Sequence, residues 1–378
     1  MTEPGPGMLL TVISFLLVIG PLIFVHEYGH YLAARIFGVK SETFSIGFGR
    51  ELLGWTDRRG TRWKVGALPL GGYVKFAGDM NPASTPSAAW LSLPAEERAR
   101  TFQGRPLWQR FVIVLAGPLT NFLFAIMVFS AFFAVNGEPR TPPIVAKVEA
   151  GSAAQSAGLQ AGDEIEQIAG RTVSRFEDIT LIVALRPGEQ LDMVVLRNGR
   201  ELALSATPKP DVIRDRFGNT MTRGLLGIRS GQPVFVDLSP LEIPVAAVAK
   251  TGETIRLIVD TTWQIITGRR STAELGGPLK IAQLSGQQAS LGWQDFVYFM
   301  AAISVNLGFI NLLPIPLLDG GHLLFYAIEG VRRRPVASGI QDWAFRSGLA
   351  LLLALMVFVT LNDLGSFGVW NTVARLIG

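Results

Sequence analysis

The stretch Phe24–Gly38, FVHEYGHYLAARIFG, closes an apolar run that opens at Met8 with MLLTVISFLLVIGPLI. It sets two histidines and a glutamate directly against membrane-length sequence, in a chain with three histidines among 378 residues. Ionisable groups are costly at membrane depth and persist there when they pair or ligate. Residues four apart share one face of an α-helix, so His26 and His30 can turn both imidazoles toward one metal ion. Glu27 lies next to His26, in reach of a water activated by that ion. A carboxylate there can accept the water's proton as it attacks a carbonyl. The H-E-x-x-H spacing alone is a hypothesis, and a helix end capped by polar residues is the plain alternative.

Composition supports the membrane reading. The chain is 49% hydrophobic and 17% charged, whereas ordinary soluble domains carry about 25% charged residues. It has no cysteine, which excludes disulfides, cysteine zinc sites and a thiol nucleophile. The net charge of +4 does not point to nucleic acid, because the bases flank apolar segments as in membrane topology signals.

The leading MTEPGPG has an acid and no base, and no small-residue cleavage site follows, so residues 1–37 read as a retained first transmembrane helix. Residues 108–135, 296–328 and 347–365 read as three further spans, the third broken by prolines and glycines. The loop Arg35–Arg110 holds twelve Lys/Arg against six Asp/Glu, and Arg332–Arg334 follow the third span. The positive-inside rule then places both loops in the cytoplasm and both termini outside.

Residues 136–295 accordingly lie outside. SAAQSAGLQAGDEI followed by ITLIVALRPGEQLDMVVLRNG resembles a bacterial PDZ domain over residues 144–208, with Asn198-Gly199 as a hairpin turn. A PDZ groove takes an extended peptide or a C-terminus as an added strand. Residues 209–295 read as a linker with an amphipathic helix, suited to lie on membrane lipid or to stand as a plain surface helix. Within the cytoplasmic loop 38–107, ETFSIGFGRELLGW and TRWKVGALPLGGYVKF alternate as strands around TDRRG. Gly47, Gly49, Gly71 and Gly72 permit bends and close backbone approach there.

A catalytic zinc needs a third protein ligand. The segment NLLPIPLLDGGH supplies Asp319 and His322 at a depth matching His26 and His30. Either could ligate, or His322 could sit behind the ligands to hold substrate or the carboxylate. Asn306 and Asn311 could hold the carbonyls of an unwound substrate, or satisfy the broken backbone around Pro314 and Pro316. Asn121 is open between interhelical glue and site lining.

The HEYGH helix, AGPLTN in span two, the outer PDZ and NLLPIPLLDGG together resemble the site-2 protease family of intramembrane zinc metalloproteases, of the bacterial regulator of sigma-E protease (RseP) type. The resemblance runs over nearly the whole chain in the same order. It implies that His26, His30 and Asp319 bind Zn2+ and that Glu27 is the catalytic acid/base, which leaves His322 to stand behind the ligands. It also implies that FSIGFG, with Gly47 and Gly49, belongs to a membrane-associated β-element near the site, where an edge strand could pair with an unwound substrate. The expected fold is a multi-pass α-helical membrane protein with four transmembrane helices, a membrane-associated β-element and one extracytoplasmic PDZ domain (α+β). The expected substrates are single-span transmembrane proteins, such as anti-sigma factors after a first cleavage, in regulated intramembrane proteolysis at the bacterial inner membrane, with the active site toward the cytoplasm. The RseP type often carries two tandem PDZ domains; this chain has room for one. A metal-transport protein using the same ligands, and a non-proteolytic PDZ scaffold, are the rival functions. Transport has no need of Glu27, and a scaffold leaves the buried acid and histidines unexplained.

Overall fold

A computed structural model describes residues 7–78, 93–214, 220–267 and 276–366. Parts of the expected cytoplasmic loop (79–92), of the expected linker (215–219, 268–275) and of the N-terminus (1–6) lie outside the described residues. In chain order the elements are α1 (Met8–Ile36), β1 (Ser41–Thr56), β2 (Arg62–Phe76), α2 (Ala95–Ala99), α3 (Leu107–Asn136), β3 (Glu138–Arg140), β4 (Val145–Val148), α4 (Ala153–Ser156), β5 (Glu164–Ile168), β6 (Arg171–Thr172) and α5 (Phe176–Ala184). They continue with β7 (Leu191–Arg197), β8 (Arg200–Ala206), β9 (Lys209–Arg214), β10 (Thr220–Leu225), β11 (Ile228–Ser230), β12 (Val234–Val236), α6 (Glu242–Ile266), α7 (Pro278–Leu291), α8 (Trp293–Leu312), α9 (Asp319–Arg332) and α10 (Ser338–Ser366). Two compact units divide the chain, one built on residues 1–130, 247–258 and 272–378, the other on 131–246 and 259–271.

Among the described residues four helices are long and apolar enough to cross a membrane: Met8–Ile36, Leu107–Asn136, Trp293–Leu312 and Gly339–Leu364. Their outward faces carry Leu9, Leu17, Met127, Leu351 and Val357, all more than half exposed. Water would penalise such a surface, and acyl chains would not. The third expected span, residues 296–328, is two helices in the structure: α8 ends at Leu312, and α9 starts afresh at Asp319. Pro314 and Pro316 cannot continue a helical hydrogen-bond ladder, and this break is what places a helix start at the acid. The fourth helix also begins nine residues before the expected Ser347, at Ser338.

The β-element is longer than the short strands expected. β1 and β2 have 16 and 15 residues and fold back on themselves, so that Thr43–Ile46 registers with both Arg62–Val65 and Gly72–Lys75. The sheet therefore has four ribbons made from two strands. Gly47 (φ +85°) and Gly49 (φ +83°) turn the first, and Gly71 (φ +110°) the second. A core of Tyr31, Phe44, Val74, Phe102, Ile113 and Leu323 ties this element to α1, α3 and α9.

The second unit has a four-stranded sheet ordered β6-β5-β7-β8, with β7 and β8 joined by the Asn198-Gly199 turn (φ +50° and +75°). Its core includes Val145, Ile165, Ile168, Ile179, Met193 and Val195. The sequence boundary at Pro208 is too early, because β11 pairs with β4 and Leu226 is buried in this same core. α5 and the segment Arg223–Ile228 flank a groove of about 150 Å3.

Candidate metal centre

On α1 the positions Ser14, Val18, Leu22, His26, His30 and Ala34 recur every four residues and are all buried. The two imidazoles thus continue an apolar stripe that faces protein. α3 lies against that stripe through AGPLTN. A Cβ at Gly29 would stand 2.5 Å from the Ala116 carbonyl oxygen, and one at Gly117 would stand 2.2 Å from His30 Nε2. Both glycines are therefore required for the helices to approach so closely around a full-sized imidazole. Thr120 Oγ1 donates to the Val25 carbonyl across the same seam (3.0 Å).

Asp319 arrives from the other side as the first residue of α9, where an acid in the first turn is favoured by the helix dipole. The chain reaches it through Leu317 at φ +85°, a conformation that costs roughly 1–3 kcal/mol for a branched residue. The loop is held by close backbone packing: Cβ atoms at Gly320 and Gly321 would stand 2.2 Å and 2.5 Å from the Leu313 and Ile315 carbonyl oxygens. The glycines of LDGG therefore serve the tight turn that aims the carboxylate.

Three donor atoms converge. His26 Nε2 and His30 Nε2 are 3.3 Å apart, and Asp319 Oδ2 lies 3.1 Å and 3.4 Å from them. Ligands around a tetrahedral zinc, each at about 2.0–2.1 Å, stand about 3.3 Å from one another. The triangle has the size of a metal site. Asp319 Oδ2 is buried and makes no hydrogen bond of normal geometry, although two ring nitrogens crowd it. An orphaned oxygen facing two imidazoles is what a shared cation would satisfy. Among the described residues, His26, His30 and Asp319 are the one group of three or more His, Cys, Asp or Glu side chains so placed. His322 is not part of it; its ring packs on Phe345 (4.9 Å between centroids) and Tyr326 (6.4 Å).

A cavity of about 420 Å3 opens on this triangle. Glu27, Asn311 and His322 line it, as do Phe48 and the β2 edge from Gly71 to Val74. Gly72 is pressed against the site, since a Cβ there would meet Glu27 Cγ at 2.8 Å. Of the residues expected to meet substrate, Asn311 lines the cavity, whereas Gly47, Gly49 and Asn306 do not. The two glycines bend β1 instead, and a Cβ at Gly47 would stand 2.7 Å from the Leu68 carbonyl oxygen. The edge beside Glu27 belongs to Gly71–Phe76, which pairs with β1 on one side and, among the described residues, with no strand on the other. Gly117, Leu307 and Phe48 were not read as site residues from the sequence. The signal present for Gly117 was a glycine four residues before the polar Asn121 within an apolar helix.

The profile of peptidase family M50 matches residues 14–355. "Putative zinc metalloprotease Atu1380" of Agrobacterium fabrum is 45% identical over 94% of this chain and 96% of its own length. Metalloprotease MmpA of Caulobacter vibrioides is 38% identical over 98% of this chain and 99% of its own. A solved PDZ domain of an SdrC-like protein from Listeria innocua covers 25% of this chain and 99% of its own, at 19% identity and a TM-score of 0.20, too slight a likeness to argue from. With a family match over most of the chain and relatives above 30% identity along nearly all of it, this protein belongs to peptidase family M50, the site-2 protease family, and is a multi-pass membrane zinc metalloprotease.

Proposed function

We propose that this protein cuts peptide bonds in or near the transmembrane segments of single-span membrane proteins, with His26, His30 and Asp319 as zinc ligands and Glu27 as the acid/base. The observation that carries the reading is the 3.1–3.4 Å triangle of donor atoms opening on the cavity that Glu27 and the free β2 edge also line. Zinc, when bound, supplies a Lewis acid that polarises the scissile carbonyl and acidifies a water. The Glu27 carboxylate accepts the proton of the attacking water and returns it to the leaving amide nitrogen. Peptide groups inside a helix are shielded by their own hydrogen bonds, so a substrate helix must open before attack. Backbone groups freed at membrane depth need protein partners. The unpaired edge at Gly71–Val74 offers them as an added strand, and the Asn311 amide can take a carbonyl. His322, which lines the cavity and packs against Phe345, takes a role in positioning rather than ligation.

The excess of basic residues in the loops supports a site toward the cytoplasm of a bacterial inner membrane, with the β domain outside it. In the second unit, the groove between α5 and Arg223–Ile228 suits a peptide or a new C-terminus, consistent with a PDZ-type domain that selects single-span proteins already shortened by a first protease. Anti-sigma factors are the leading substrate class by family likeness.

Purified protein in proteoliposomes, given a single-span substrate, tests this directly. Cleavage should stop on chelation and return with zinc, and Glu27→Gln should lower it by at least ~1000-fold while leaving zinc bound, because the change removes a base and no ligand. Brisk cleavage by Glu27→Gln, or cleavage indifferent to chelators, would remove the proposal.

A further inference from the structure

Both ring nitrogens of His26 are engaged. Nε2 faces His30 Nε2 at 3.3 Å and Asp319 Oδ2 at 3.1 Å, on the metal side. Nδ1 lies 3.2 Å from the side-chain amide of Asn121 on α3. His30 is built the same way: its Nδ1 is 2.9 Å from the Ile113 carbonyl oxygen. A carbonyl can only accept, so it fixes the proton of His30 on Nδ1 and leaves Nε2 free to ligate. His26 has no backbone carbonyl in that place. It has Asn121.

We propose that Asn121 is the positioning residue for His26, accepting its Nδ1–H through Oδ1 and so presenting Nε2 to the metal; the inference rests on the zinc assignment made above. A neutral imidazole ligating through Nε2 must carry its proton on Nδ1, and that proton needs an acceptor. With the NH2 turned to the ring, Nδ1 would be the acceptor and the proton would sit on Nε2, where it blocks ligation. In that orientation Asn121 Oδ1 is also buried without a partner. A half-turn of the amide brings the oxygen to Nδ1–H and gives it one. Asn121 is fully buried, and its main-chain carbonyl accepts from the buried Ser304 Oγ of α8 at 2.8 Å. That bond ties the α3 backbone to α8 at the residue whose side-chain amide meets His26.

An Asn that only glues α1 to α3 predicts a different result from one that sets a ligand. The test is zinc affinity by chelator competition, with the melting temperature of the metal-free protein as a second readout. Asn121→Leu keeps the size and removes the acceptor. It should bind zinc roughly 10–100-fold more weakly, with cleavage recovered by raising free zinc. Asn121→Asp keeps the acceptor and should bind zinc at least as tightly as the wild type. Unchanged affinity in Asn121→Leu overturns the proposal, whatever its melting temperature. If Asn121→Leu fails to fold, Asn121→Asp still decides, because a tenfold loss there overturns it equally. A wild-type protein that binds no zinc would refute the zinc assignment instead, so the two failures are distinguishable.

Discussion

The membrane unit and the β domain solve the packing problem in opposite ways. In the β domain apolar side chains such as Ile165, Ile168 and Val195 turn inward and water does the sorting. In the membrane unit many of the largest apolar side chains, Leu9 and Leu17 among them, face outward. Acyl chains are as apolar as leucine, so hydrophobicity cannot tell those helices which faces should meet. What holds their contacts is the absence of a side chain at Gly29 and Gly117 and the need of buried polar groups for partners. A polar residue in the first unit is therefore evidence about function, whereas in the second it is mostly evidence about the surface.

The sharpest way to break this contrast is at Gly117. Adding one methyl group, Gly117→Ala, puts a carbon 2.2 Å from His30 Nε2, so the ligand or its helix must move. Zinc affinity should fall at least ~100-fold and cleavage with it, while the β domain keeps its hydrogen-exchange protection. Near-normal zinc binding by this variant would mean that the α1–α3 seam does not set the metal site.

The matching experiment in the β domain has a smaller effect. Asp163 is buried and takes both Arg197 Nε (2.7 Å) and Nη2 (2.8 Å), with the Gln160 N–H at 2.8 Å. The Arg197 hydrogen bonds hold its carboxyl below the usual carboxylate range against the opposing pull of burial. Because the folded-state pKa is the lower one, this stabilisation is complete above the unfolded value near 4 and is lost as pH falls through the lowered folded value. Asp163→Asn should cost roughly 1–2 kcal/mol at pH 7, discounted for the partly exposed arginine, and should flatten the acid side of the stability profile. Hydrogen exchange across residues 144–230 in the full chain reads both effects. Zinc affinity should not change; a loss there would tie the domains together more closely than this account allows.

How much was legible follows the same division. His26, Glu27 and His30 stood out because three costly groups in an apolar helix have few uses, and Asp319 because an acid in the third apolar segment needs a partner. The four helices and the Gly47, Gly49 and Gly71 bends were readable from apolar length and from glycines in alternating sequence. The break at Leu313–Leu318 is visible in the sequence as prolines, but hydropathy alone does not separate a broken helix from two helices. That Gly71–Val74 rather than Gly47 and Gly49 line the cavity beside Glu27 is not legible in the sequence, because which strand edge meets Glu27 is decided by how β1 and β2 fold back, a tertiary fact. The β domain was cut short at Pro208 because β11 pairs with β4 across more than seventy residues of sequence, and no local pattern announces such a pairing.

The central claim is that Asp319, and not His322, completes the ligand set with His26 and His30. Metal content of the purified protein measures it most directly, in the wild type and in His26→Ala, His30→Ala, Asp319→Asn and His322→Ala. One zinc per wild-type chain is expected, lost together in the first three variants and substantially kept in His322→Ala. Zinc retained by Asp319→Asn and lost from His322→Ala would contradict the account.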